Sequence, residues 1–328
     1  MESESLFLEQ KIFLPAHIHT SVFSECYVSG KGTDIMKVLN VYAGMLTETL
    51  LLFQNPDEGL EYCYDQITKS LGTEPYEGIL DSAALPPADV LDRYTEKGRA
   101  LARDVFAEWV DCIHDFQQEL IRLITQSILH WEQQKVWRAE TLRLFIEITN
   151  RCMAYEMAAQ ELCDVIIECK IFEEQWTLAD GLSALSGVCG RRLALSLNET
   201  GYWRPSRFNM LAAPLDDVVY VMTQEATRLG IPAGCDWYKG LAANDAPPDP
   251  PSEIVDSIEP YALVFYEMIG LTTLREQAVA SAKGAGRMLA IAAGGDNPEM
   301  TPVIAKPLAM AALSEMYKFV FTQELLCS

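Results

Sequence analysis

Basic residues are scarce in this 328-residue chain: 25 Lys and Arg stand against 47 Asp and Glu, a formal net charge of −22. A field of that sign repels phosphates and anionic lipid headgroups, which argues against non-specific binding to nucleic acid or to a membrane surface. Long apolar runs are missing as well, and none reaches the roughly 18 residues a membrane span requires. The N-terminus, MESESLFLEQK, is acidic where a secretion signal would be basic. No Cys-x-x-Cys pair occurs, and the nine cysteines are an odd number, so reduced thiols are expected rather than a disulfide framework. No sequence repeat of fixed period is found, which excludes the usual solenoids. What remains, at 49% apolar and 22% charged residues, is ordinary globular composition. The expectation is a soluble, cytoplasmic, acidic protein.

Breakers are unevenly distributed. Residues 1–32 mix β-branched and aromatic residues with Pro15 and carry no helical period, which predicts a short extended arm able to pair as an edge strand. From Ile35 to Leu50, apolar residues follow the 3, 4 spacing of an amphipathic helix. Asn55-Pro56 punctuates that helix, and Gly72 stands where a left-handed cap would close the next one. Between Ala88 and Trp176 there is no proline and one glycine, Gly98. Within it, Leu101, Val105, Trp109, Ile113, Phe116, Leu120, Ile124, Ile128 and Trp131 form one continuous apolar face. The spacing predicts two long antiparallel helices turning near 132–138, either of which can break again.

Further helices are expected from Thr177 to about Leu197, from Pro214 to Gly230, from Ser252 through Pro260 to about Ala293, and from Pro302 to Leu326. Gly181, Ala184, Gly187 and Gly190 line one side of the first of these, which predicts close approach by a neighbour and a central position. The fold class is therefore all-α: a bundle of about eight helices with two long central ones. The domain plan is an arm at 1–32, a main bundle at 33–243, and C-terminal helices at 252–328. Those last helices either pack on the bundle or form a small subdomain beyond a proline-rich linker at 244–251.

Several catalytic and metal-binding patterns occur only in part. His17-Ile18-His19 would place two imidazoles on one side of a strand, but His114 and His130 sit on a helix and supply no converging ligands. Gly30-Lys31-Gly32-Thr33 lacks the glycine a phosphate loop needs at Glu25 and has no hydroxyl directly after the lysine. Lys283-Gly284-Ala285-Gly286-Arg287 lacks a preceding strand and reads as a closely packed point in a helix. Asp216-Asp217 has no second acidic motif suited to hold a metal–diphosphate and suits a first helical turn. Asp111-x-x-His114 occurs once, where a di-iron bundle needs two copies. Cys152, Cys163 and Cys169 are too spread out for one metal and read as small buried hydrophobes. No metal or cofactor is expected.

One segment differs by charge. Arg191, Arg192, Arg204 and Arg207 accumulate between Trp176 and Leu215, with Trp203 beside the last pair. Arginine beside aromatics suits capture of a carboxylate, a phosphate or an acidic segment of a partner; the competing reading is an internal brace for surplus carboxylates. The chain thus reads as a non-enzymatic interaction protein, a scaffold, adaptor or inhibitor. It would bind another protein through that protein's basic surface, and an acidic surface of this kind can imitate nucleic acid. The alternative is a helical-bundle enzyme or small-ligand carrier whose core pocket is lined by Trp109, Met153, Met157 and Met222. Self-association is left open.

Overall fold

Local signals set several of the helix ends. The Asn55 side chain accepts the Glu58 amide at 3.4 Å and Pro56 opens the helix behind it. That helix closes on Gly72 at φ 62°, a left-handed conformation in which a side chain would be strained. The computed structural model describes residues 27–28, 32–33, 35–53, 55–74, 88–109, 113–132, 138–173, 176–199, 212–234, 236–237, 251–295 and 298–327. Among them are ten α-helices: α1 Ile35–Leu50, α2 Pro56–Leu71, α3 Ala88–Trp109, α4 Ile113–Glu132, α5 Arg138–Val165, α6 Leu178–Glu199, α7 Ala212–Arg228, α8 Pro251–Ile269, α9 Leu274–Ala293 and α10 Pro302–Cys327. A π-helical segment, Ile166–Glu173, continues α5. The described residues form helices apart from a two-residue pair, β1 Tyr27–Val28 antiparallel to β2 Gly32–Thr33, and short turns. That pair is the described part of the expected extended arm; residues 1–26 lie outside the described residues.

Ten helices stand among the described residues, where about eight are expected. The apolar face read as continuous from Leu101 to Trp131 is carried by two helices, α3 and α4. The stretch expected as one helix to Ala293 is two: Gly270, at φ 82°, ends α8. Thr273 then caps α9 in a reciprocal box, its hydroxyl accepting the Glu276 amide at 3.2 Å while its own amide donates to Glu276 Oε2 at 3.0 Å.

The chain divides into two compact units, residues 1–153 and 154–328, at a point inside α5. In the first unit, α1 is the central helix, with every residue from Val38 to Leu50 buried. It packs most closely on α3, and Ile67, Leu120, Ile124, Leu142 and Phe145 complete its core. Each fully buried side chain of that size contributes roughly 2 kcal/mol. Glu48 on α1 accepts from Arg99 Nε at 2.8 Å and from Arg103 at 3.3 Å, so the close approach also pairs buried charges.

In the second unit, α6 and α9 are the central helices, α6 in the place its small residues predict. Thr177 and Asp180 cap α6, with the Thr177 amide donating to Asp180 Oδ2 at 2.8 Å. The small-residue side of α6 has the expected consequence. A Cβ on Gly190 would meet the Leu313 carbonyl oxygen of α10 at 2.2 Å, and one on Gly187 would meet Val255 Cγ2 of α8 at 2.4 Å. Glycine lets α6 and α10 touch backbone to backbone at Gly190, and at Gly187 it makes room for the Val255 side chain. α8, α9 and α10 therefore pack on α6 within one unit.

Candidate functional site

α8 is apolar on two sides. Ile254, Val255, Ile258, Ala262 and Tyr266 are buried on its inner face, and the Tyr266 hydroxyl lies 2.5 Å from Ser281 Oγ of α9. Burial pushes that phenol well above its ordinary range, with the Ser281 hydrogen bond opposing the shift. The outer face carries Tyr261, Val264 and Met268, spaced i, i+3, i+7, and all three are exposed; Met268 is 74% accessible. A single exposed apolar side chain is unremarkable, but a row at helical spacing is a docking feature.

The neighbours of this row are ordered. Lys170, itself buried, places its ammonium 5.6 Å above the Tyr261 ring and 5.5 Å above the Trp176 ring. Cation–π contact of this kind fixes the tyrosine from beneath. Glu253, Asp256 and Glu267 are exposed on the same helix, and Pro251–Ile269 contains no Lys, Arg or His.

Of the arginines singled out in the sequence, Arg191 and Arg192 are turned towards α8. Arg191 Nη1 lies 2.6 Å from Glu259 Oε2 and 2.7 Å from Asp256 Oδ1, and Arg192 Nη2 pairs with Glu259 Oε1. Burial by itself would lower the Arg191 pKa; hydrogen bonds to Asp256 and Glu259 outweigh it and hold the guanidinium above its ordinary value. This is the geometry of a brace between α6 and α8, with both cations occupied. Trp203, Arg204 and Arg207 lie outside the described residues.

A second group of charges went unread in the sequence. Lys283 and Arg287, one turn apart on α9, are both buried. Lys283 Nζ lies 2.9 Å from Glu156 Oε1 on α5, and Arg287 pairs with Glu156 Oε2. Arg287 Nε also reaches Glu225 Oε1 of α7 at 2.8 Å, Arg287 Nη1 donates to Gln160 Oε1 at 2.7 Å, and Arg228 pairs with Glu225 at 2.6 Å. The glycines between them make this possible: a Cβ on Gly286 would stand 2.7 Å from the Met222 carbonyl oxygen. The Lys-Gly-Ala-Gly-Arg segment is thus a close-packed point, as its sequence suggested, and also the hub of an ion-pair network. Two cations embedded in a run of Ala, Ser and Gly were the available signal, since buried Lys and Arg are rare unless paired.

Other sequence candidates are dispersed. His114 is exposed and stacks obliquely on Phe53 at 5.6 Å, and His130 is exposed. His17, His19 and Asp111 lie outside the described residues. Asp217 approaches Arg275 at 4.0 Å, and Asp216 is exposed. Among the described residues no group of three or more His, Cys, Asp or Glu comes together to hold a metal. Cys152 and Cys163 are buried as small hydrophobes, whereas Cys169, expected to join them, is exposed. Met157, expected to line a core pocket, is 49% exposed; Met153 and Met222 are buried in the separate cores of the two units. A shallow groove of about 350 Å³ between α2 and α4 is walled by Gln66, Ser70, Gln118, Ile121, Arg122 and Thr125. Its one charged group, Arg122, is tied to Glu119.

No described helix is long and apolar enough to cross a membrane. No protein-family model, curated protein or solved structure matches the chain.

Proposed function

We propose that this chain is a non-catalytic helical interaction protein, a scaffold, adaptor or inhibitor that acts by binding another protein. The observation carrying the reading is the exposed row Tyr261, Val264 and Met268 on a helix whose inner face is already packed. Its setting supports the reading too: Arg191, Arg192, Lys283 and Arg287 of the second unit are engaged in pairs that hold helices together. A net charge of −22 favours a partner with a basic surface and speeds encounter with it. Trp203, Arg204 and Arg207 remain proposed contact residues on sequence grounds, while Arg191 and Arg192 take the bracing role.

The test is recovery of the protein from its source cells under gentle conditions, paired with a thermal-shift screen of metals and metabolites. The reading expects a protein partner in fixed stoichiometry and no ligand-induced rise in melting temperature. A ligand that binds the folded state would raise it by mass action, and a strong rise without any partner would overturn the proposal in favour of a carrier or enzyme.

A further inference from the structure

The arrangement of α8 defines the chemistry of what it binds. At 100° per residue, Tyr261, Val264 and Met268 fall within an arc of about 60°, and Glu253, Asp256 and Glu267 fall within a neighbouring arc of about the same width. An apolar stripe therefore runs beside an acidic one along the exposed side of the helix. We propose that this face docks a cationic amphipathic helix of a partner protein. Apolar side chains of that helix lie on Tyr261, Val264 and Met268, and its Lys and Arg run along the carboxylate edge. The inference rests on the interaction reading above and adds to it the place and the class of partner.

Three features favour this occupant. The stripe is preorganised: Lys170 supports Tyr261 from below, and Tyr266 and Ala262 anchor the same turns into the core, so little ordering is needed on binding. Among the described residues the acidic edge pairs with one internal cation, Arg191 on Asp256, and Asp256 is still 64% exposed. A second copy of this chain is disfavoured, because pairing two α8 helices face to face would set carboxylate edges near one another in a complex of two chains each carrying −22.

The test uses the full-length chain and a designed 18-residue Leu/Lys amphipathic peptide as probe, with a Leu/Glu peptide of the same pattern as control, read by fluorescence anisotropy. Val264→Asp and Met268→Asp are the informative variants, since each adds negative charge while removing apolar surface. Docking predicts binding weakened roughly tenfold or more by either variant; diffuse charge attraction predicts binding unchanged or tightened. Both side chains are exposed, so circular dichroism should show the wild-type fold, and Met268→Ser gives an uncharged control with the same expected loss. Glu267→Gln should weaken binding by a few-fold and reduce its salt dependence. Equal affinity of wild type and Val264→Asp for the Leu/Lys peptide overturns the site, as does tight binding of the Leu/Glu peptide. A concentration-dependent dimer in sedimentation that Met268→Asp abolishes assigns the face to a second copy and also overturns it. If a cellular partner stays bound to Val264→Asp, the interaction reading stands and this site falls. If the wild type carries no partner at all, the interaction reading falls instead.

Discussion

A Cβ built on Gly98 of α3 would lie 2.0 Å from the carbonyl oxygen of Val41 on α1, and one on Gly44 of α1 would lie 2.0 Å from that of Thr95 on α3. The two glycines answer each other across one crossing, so the backbones of α1 and α3 are in direct contact. Gly98→Ala or Gly44→Ala must push a helix backbone aside, since no flexible side chain can yield. Each should cost roughly 3 kcal/mol, the upper end for overpacking, read as a lowered urea midpoint for the first unit. A loss under 0.5 kcal/mol would show that the helices can separate without penalty.

The buried network around Glu156 predicts an asymmetric mutational response. Arg287→Ala leaves Glu156 and Glu225, which are 3% and 0% exposed at their side chains, with fewer cations in a low-dielectric setting. The expected destabilisation is about 3–5 kcal/mol, as for breaking a buried ion pair on one side. Chemical denaturation measures it, and a change within 1 kcal/mol would show that Lys283 and Arg228 alone can satisfy both carboxylates.

Helix ends were legible in the sequence wherever a stop residue stood alone. Asn55-Pro56, Gly72, Thr177 and Gly230 each mark an observed boundary, and the small residues of α6 foretold its central place. Gly270 is masked as a stop by the apolar residues that flank it, although Thr273 and Glu276 three residues apart spell out a capping box. The division into two cores was hidden for a different reason: the chain passes from one to the other inside the continuous helix α5, with no linker composition to mark it. Site residues were less legible than helices. Arg191 and Arg192 announce charge but not direction, and only packing turned them towards Glu259. The outer face of α8 was readable in principle, because Ile254, Val255, Ile258, Tyr261, Val264 and Met268 are more apolar residues than one buried face can use.

The bracing role of Arg192 separates stability from recognition. Arg192→Ala should lower stability by about 1–2 kcal/mol through the lost bond to Glu259, while partner affinity per folded molecule is unchanged. Trp203→Ala and Arg204→Ala should do the reverse, costing roughly 2 kcal/mol of affinity with the melting temperature held. Calorimetry and a binding titration on the same three variants decide it; a fall in stability for all three would make the whole arginine segment structural.

Alkaline pH should destabilise the protein in a defined window. Burial pushes the Cys63 thiol from an ordinary value of 9.0 to about 11, and the Cys163 and Cys189 thiols to about 12. Folded thiols stay protonated where unfolded ones ionise, so their contribution is intact below pH 9 and is lost as pH rises towards 11 and 12. The urea midpoint should fall as pH rises from 9 towards 11, and fall less steeply in Cys189→Ala. An identical pH slope in that variant would contradict the assignment.

The same burial orders thiol reactivity. Cys169 is exposed while Cys63, Cys152, Cys163 and Cys189 are buried, so brief alkylation of the native protein followed by peptide mapping should mark Cys169 well before those four. Early labelling of Cys163 or Cys189 would mean that the second core opens on the timescale of the reaction.

Whether the protein works by binding a protein partner is decided by the native mass of the assembly recovered from its source cells. That mass should exceed the 36.7 kDa of the chain by that of a basic protein in integral stoichiometry, with the excess lost in Val264→Asp. A bare monomer in every condition, or a mass raised only by a metal ion or small molecule, would contradict it.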